Sequence, residues 1–253
     1  IKALESSFDR KLFTRNKGGT VQTASGLRFL DHAKALQRQW HEAARAVESA
    51  GTYERSMRIG VQHDVAESLA GHWMQAIRRD LPATSIYMEA DYSIQMNRDL
   101  AAGDLDLAIL YTPQYLPDLH YERIGEMTYL LVATDAQSVA DLKAETYIQA
   151  VYSPAFDRAH RLALPHLSAP PLASGQNIAI TGLLRTLGGA AYVTAATASA
   201  LIAENAARPI ADAPPIAQTV YAATSVRTRH AHQHRRIIGV MAELLERDAF
   251  PLK

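Results

Sequence analysis

From Met57 onward the chain alternates short apolar runs with amphipathic helical stretches, and this alternation limits the fold more than any other feature. Residues 57–61, 85–90 and 105–111 have the length and branched-residue content of strands. Between them, Asp64 can cap a helix that carries Leu69, Trp73 and Ile77 as far as Pro82, and residues 94–102 form another. A second series follows the run at 129–134, with a strand at 147–152, a helix near 177–187, a strand at 190–194 and a helix at 198–206. Strands interleaved with helices predict a mostly parallel sheet covered on both faces, and two such series predict two α/β lobes. The proline-rich pieces at 165–171 and 209–215 read as loops, and 237–245 as a closing helix.

Ahead of that body lie elements of a different grain. Ile1, Leu4 and Phe8 share one helical face, and Asp9 stands where a turn residue tolerant of left-handed geometry belongs. Two short extended runs, 12–15 and 20–23, flank Asn16-Lys17-Gly18-Gly19, which predicts a hairpin with a basic tip. Thr23 or Ser25 can cap the next helix, in which Leu27, Leu30, Ala33, Leu36, Trp40, Ala44 and Val47 recur at helical steps up to Gly51. A helix that long with one narrow apolar stripe does not bury itself alone, so pairing with a second copy is expected.

Composition narrows the function classes. The 253 residues contain no cysteine, which excludes disulfides, thiolate metal sites and a cysteine nucleophile. No run approaches the roughly 20 apolar residues that span a bilayer, and the opening residues are charged rather than a secretory signal. A cytoplasmic protein with no membrane partner is the expectation. Basic and acidic residues balance at 26 each, yet residues 1–28 hold six basic side chains against two acidic ones. That asymmetry suggests a basic module attached to a body that does not bind polyanions.

Leu4-Glu5, Phe8, Leu12-Phe13 and Arg15, followed by Thr23-Ala24-Ser25-Gly26, resemble the end of the recognition helix, the wing and the linker-helix start of LysR-type transcriptional regulators. The resemblance continues through Arg58-Ile59-Gly60-Val61, Leu81-Pro82 and residues 103–109, and after Thr134 mainly in the order of elements. It implies an α/β fold: a two-lobed effector domain of the periplasmic-binding-protein type, preceded by a long linker helix and a partial winged helix-turn-helix. Residues 1–23 would be the end of the recognition helix and the wing, 24–51 the linker (dimerisation) helix, and 52–253 the effector-binding domain. Within that domain, lobe I is placed at about 57–135 and 223–253 and lobe II at about 136–222. Two departures stand out: the family usually has glycine where Asp9 stands and a basic residue where Gly18 stands. The resemblance also places the first two helices of the head ahead of Ile1, so these residues alone are not expected to make the usual major-groove contacts.

The resemblance assigns Arg15 and Lys17, at the hairpin tip, and Lys2, on the helix before it, to DNA. A cation on a hairpin can follow the phosphates or enter the minor groove, although by itself such a tip is as well read as a solvated turn. In a two-lobed α/β body, ligands lie beyond the carboxyl ends of strands, where helix N-termini offer free N–H groups. Gln62, His63 and Asp64 sit at such a place, with Asp64 equally readable as a helix cap. Tyr111, Thr112, Tyr152 and Ser153 end other strands, and Ser174, Gly175 and Thr194 complete the candidate effector site. A small aromatic or polar effector is expected there, acidic only if Asp64 points away.

Two further groups of residues imitate chemistry. Asp104 and Asp106 read better as a helix stop and strand start than as an acid–base pair, because nothing nearby supplies a nucleophile or metal ligand. His230, His232 and His234 are possible metal ligands, but Arg227, Arg229, Arg235 and Arg236 disfavour a cation, and a solvated basic loop is expected. No catalytic residue, metal or cofactor is therefore assigned. The leading function is a DNA-binding regulator, a homodimer or homotetramer with double-stranded DNA, a small-molecule effector and RNA polymerase as partners. The alternative is a solute-binding protein with the same two-lobed body, against which the wing and linker pattern count. An enzyme has no nucleotide-binding or nucleophile motif behind it.

Overall fold

The computed structural model describes residues 1–16, 18–48, 53, 55–167 and 170–248. Lys17, the predicted end of the long helix at residues 49–51 and part of the 165–171 loop lie outside the described residues.

Helix α1 (Lys2–Phe8) ends at Asp9, whose φ of 48° and ψ of 38° are left-handed, a conformation that aspartate tolerates better than most residues. The Glu5 carboxylate, nearly buried, accepts the backbone N–H groups of Leu12 at 2.7 Å and Phe13 at 3.1 Å. Those two amides, with Lys11 beside them, hold its carboxyl below the usual range. The same bonds fix α1 to the hairpin of β1 (Phe13–Asn16) and β2 (Gly19–Gln22). Helix α2 (Ala24–Glu48) starts where Thr23 Oγ1 accepts the Gly26 N–H at 3.0 Å. A Cβ on Gly26 would lie 2.1 Å from the Leu12 carbonyl oxygen, so glycine lets the helix start press against the hairpin.

The body opens with β3 (Arg55–Val61), α3 (His63–Asp80), β4 (Thr84–Ala90), α4 (Ser93–Ala102) and β5 (Leu107–Leu110). β4, β3 and β5 lie side by side in parallel, so their carboxyl ends share one edge. The chain then crosses to the second lobe in one long strand, β6 (Leu119–Ala133). There it forms β7 (Ile148–Ala150), α5 (Pro154–Ala163), β8 (Leu172–Ser174), α6 (Asn177–Leu187), β9 (Ala190–Thr194), α7 (Ala195–Ala203) and β10 (Arg208–Pro209). It returns along β11 (Ile216–Ser225), antiparallel to β6 over its whole length, and closes with α8 (His232–Asp248) packed on α3 and β6.

The expectation of a mostly parallel sheet is therefore corrected. The seven-stranded sheet is mixed, because two adjacent strands that carry the chain out of one lobe and back again must run in opposite directions. β11 and α5 correspond to no sequence-predicted element, and β6 begins ten residues before the expected strand at 129. The 135/136 division anticipated from sequence falls beyond the end of β6, and 222/223 falls inside β11, since both strands belong to both lobes. One buried apolar cluster runs through the body, from Met57, Ile59, Leu69 and Trp73 to Tyr147, Phe156, Ile180 and Leu201.

The histidine-rich segment also differs from expectation. α8 begins at His232, and its first turn rotates His234 inward, where it is 8% exposed and burial pushes its pKa down. Asp104 and Asp106 go to separate partners: Asp104 meets His41 Nδ1 at 2.7 Å, and Asp106 accepts the Arg58 N–H at 2.8 Å.

Candidate functional site between the lobes

The shared edge of β4, β3 and β5 carries Gln62-His63-Asp64, Tyr92-Ser93 and Tyr111-Thr112. On the lobe II side, β7 and β8 run parallel and deliver Tyr152-Ser153 and Ser174-Gly175 to the same region, and β9 ends there at Thr194. Strand direction gathers the ends of β4, β3 and β5 in one lobe and of β7 and β8 in the other, and the crossing strands β6 and β11 join the two lobes.

Asp64 lies at the middle of the junction. The reading of it as the helix cap is overturned: Gln62 is the N-cap of α3, and Asp64 lies one residue inside the helix, fully buried. Its Oδ2 accepts the Tyr129 hydroxyl at 2.5 Å and faces the Tyr111 hydroxyl at 3.4 Å, while the two hydroxyls are 2.8 Å apart. Burial raises its pKa to about 7 against the opposing pull of the Tyr129 hydrogen bond, and the nearby Glu67 carboxylate adds to the rise.

Tyr129 then passes the contact across the lobes. Its ring stacks on Tyr152 with centroids 4.4 Å apart, and Phe156 meets both rings edge-on. The Tyr152 hydroxyl donates to the Tyr192 carbonyl at 3.0 Å and reaches Asn177 Oδ1 at 3.4 Å. Asn177, first residue of α6, is the lobe-bridging amide. Its Oδ1 accepts the Thr194 N–H at 3.0 Å, and its Nδ2 donates to Thr197 Oγ1 at 2.8 Å and to Glu67 Oε1 of α3 at 3.1 Å. The N-terminal turns of α3 and α6 thus face each other through one hydrogen bond.

The remaining sequence-predicted residues take distinct places. Gln62 Oε1 accepts the Ser93 hydroxyl at 3.1 Å, and Ser93 Oγ accepts the N–H groups of Tyr111 at 3.0 Å and Thr112 at 3.2 Å. Ser153 caps α5 through the Phe156 N–H and donates its hydroxyl to Gln218 Oε1 on β11. Ser174 Oγ accepts the Gln176 N–H at 3.2 Å. His63 is half-buried, edge-on to Tyr92 at 4.8 Å. A Cβ on Gly175 would stand 3.1 Å from the Tyr92 hydroxyl, so Tyr92 reaches lobe II where glycine leaves room for it. Sequence reasoning missed Tyr129, Glu67, Asn177, Ser93 and Gln218. Asn177 alone had a readable signal, as a polar residue opening a helix right after a strand.

In the head, Lys2 and Arg15 are both exposed, and Arg15 lies in β1 opposite Thr20. An open groove of about 770 Å³ runs between β6 and α8, lined by Arg123, Gly125, Arg235, Ile238 and Ala242 among others, and none of the junction residues named above lines it.

Residues 50–246 match the family model described as the LysR substrate binding domain. The chain belongs to the LysR family. Among similar sequences are the nitrogen assimilation regulatory protein nac of Klebsiella aerogenes, 32% identical over 113 residues, 44% of this chain and 37% of that protein. The nac protein of Escherichia coli K12 is 26% identical over 136 residues, 53% of this chain and 45% of that protein. These matches thus span less than half the length of either relative. Among solved structures, full-length LysG from Corynebacterium glutamicum, with bound effector Arg, superposes at a TM-score of 0.63 with 17% identity, covering 96% of this chain and 86% of that one. The regulatory domain of OxyR2 from Vibrio vulnificus in its reduced form reaches 0.64 with 15% identity, covering 78% of this chain and 99% of that one. At such identities these LysR structures support the two-lobed fold alone.

Proposed function

We propose that this LysR-family chain is the sensing body and part of the DNA-binding head of a cytoplasmic transcriptional regulator, and that a small molecule bound at the interlobe junction controls it. The observation that carries this reading is the Asp64–Tyr129–Tyr152–Asn177 network, which sets hydrogen-bonding groups from both α/β lobes within the apolar cluster that runs through them. A ligand that makes its own contacts with these groups in one lobe arrangement shifts the balance between arrangements by its difference in affinity for them. The regulatory names of the relatives support the reading, and no helix among the described residues is long and apolar enough to cross a membrane. Nothing in this account requires catalysis or a cofactor; the partners are double-stranded DNA, the effector, further copies of the chain and RNA polymerase.

Two predictions follow from the head and linker. Leu36, Trp40 and Val47 fall on one face of α2 and are 59, 71 and 77% exposed, which suits a seam against a second copy in a homodimer or homotetramer. Trp40→Glu is expected to weaken the dimer by placing a charge in that seam, read as a fall in sedimentation coefficient at micromolar protein. An unchanged coefficient would remove α2 from the interface. In the complete protein, Arg15→Ala is expected to weaken DNA binding similarly for all sequences and to lower the slope of log affinity against log salt by about one. Unchanged affinity across a salt series would take the hairpin off the DNA.

A further inference from the structure

We infer that the ligand of the interlobe junction carries a cationic donor group, an alkylammonium or a guanidinium, seated against the Asp64 and Glu67 carboxylates. This rests on the effector-binding reading above and specifies the chemistry of that site.

Donor arithmetic carries the inference. Each tyrosine hydroxyl supplies one hydrogen. That of Tyr129 goes to Asp64 Oδ2, and that of Tyr111 is used at Tyr129 or at the same Oδ2, so neither serves the second oxygen. Asp64 Oδ1 is completely buried and receives a hydrogen bond from no other described residue. The neighbouring polar side chains are satisfied: Asn177 uses both ends of its amide, Ser153 and Gln218 pair, and so do Gln62 and Ser93. Asp64's own backbone N–H also faces the carboxyl and pulls its pKa down, but no other described donor is left for Oδ1, an acceptor at the point where the lobes meet.

Charge points the same way. The charged neighbour that acts on Asp64 is Glu67, another carboxylate, and no described ion pair includes either residue. A buried carboxylate without a cation holds its proton instead, which is the direction seen here. A ligand cation can take the place of that proton, donating to Oδ1 while its charge is shared with Glu67. Glu67 is exposed and Asp64 is buried one helical turn before it, and entry of the ligand requires the Glu67–Asn177 bond to part. An anion meets two carboxylates at the same place. The sequence reading admitted an acidic effector only if Asp64 points away, and its side chain is buried against Tyr129 and Tyr111.

The test uses two probes of similar size and opposite charge, propylammonium and propionate, titrated at pH 8 while amide chemical shifts are followed for the whole chain. Propylammonium is expected to move amides at 61–67 and 176–181. Asp64→Asn is expected to weaken it ~10- to 100-fold, the worth of a hydrogen bond to a charged group. Glu67→Gln, an exposed substitution that keeps the oxygen accepting from Asn177, is expected to weaken it less, and it keeps the test valid should the Asp64 variant fold poorly. Propionate moving those amides while propylammonium does not would overturn the cationic class and leave the junction as the site. Binding of propylammonium that neither variant weakens, or no perturbation by either probe, would overturn the assignment. Shifts confined to the groove between β6 and α8 would remove the junction reading itself.

Discussion

Asp64→Asn is expected to abolish a large fall in stability that the unsubstituted protein shows as pH rises from about 4 to about 7. The folded protein holds the Asp64 proton up to about pH 7, whereas an unfolded chain releases it near the ordinary value of 3.8. Across that window the native state binds more protons than the unfolded state, so stability is greatest below about pH 4, declines with rising pH and levels off above about 7. The proton-linked contribution is on the order of 4 kcal/mol, or roughly 10 °C in Tm for a chain of this size. Other groups titrate in the same range, including His160 and His234, whose pKa values burial lowers. The quantity to measure is therefore the difference in Tm between the two proteins at each pH, in which those groups cancel. It should change by about 10 °C between pH 4 and 8, in favour of the asparagine variant at high pH. Parallel curves would mean that folding does not raise the Asp64 pKa and that its surroundings are more polar than described.

Tyr152→Ala is expected to cost about 3–5 kcal/mol, the usual loss for a large aromatic side chain removed from a packed interior. Tyr152 is 3% exposed, stacked on Tyr129 and edge-on to Phe156, so its ring belongs to the core as much as to the junction. Tyr152→Phe keeps the ring and removes only the hydroxyl that donates to the Tyr192 carbonyl, at a cost of about 1–2 kcal/mol. Denaturant unfolding separates the two: a midpoint shift for alanine no larger than for phenylalanine would show that the stack contributes nothing. Effector studies need the phenylalanine variant, because loss of response in the alanine variant cannot be told from loss of fold.

The parts of this architecture set by local signals were legible in the sequence. β3, β4 and β5 are short apolar runs closed by turn residues, and α3 and α4 have their stripes in plain view, so the clustering of Gln62, His63, Asp64, Tyr111 and Thr112 follows from parallel direction. β11 was not legible, because Ile216-Ala217-Gln218-Thr219-Val220 mixes small and polar residues and becomes a strand only by pairing with β6. Tyr129 was missed for a related reason: it lies inside a 15-residue strand, and strand-end reasoning does not reach it. Asp64 and His234 were misread through helix starts a residue or more from those expected, which turns a presumed surface group inward. The helix after Ser153 had a readable signal, a serine cap with proline at the first helical position and Phe156 and His160 buried four residues apart.

The central claim is that a small molecule acts at the junction of the two lobes. A thermal-shift screen of metabolites identifies ligands by the stability they add to the folded state alone. Hydrogen exchange with and without a ligand so found tests the claim most directly. The account predicts slowed exchange at residues 61–67, 111–112, 152–153, 176–181 and 194 in both lobes at once. Protection limited to the groove between β6 and α8, with the junction amides unchanged, would contradict it.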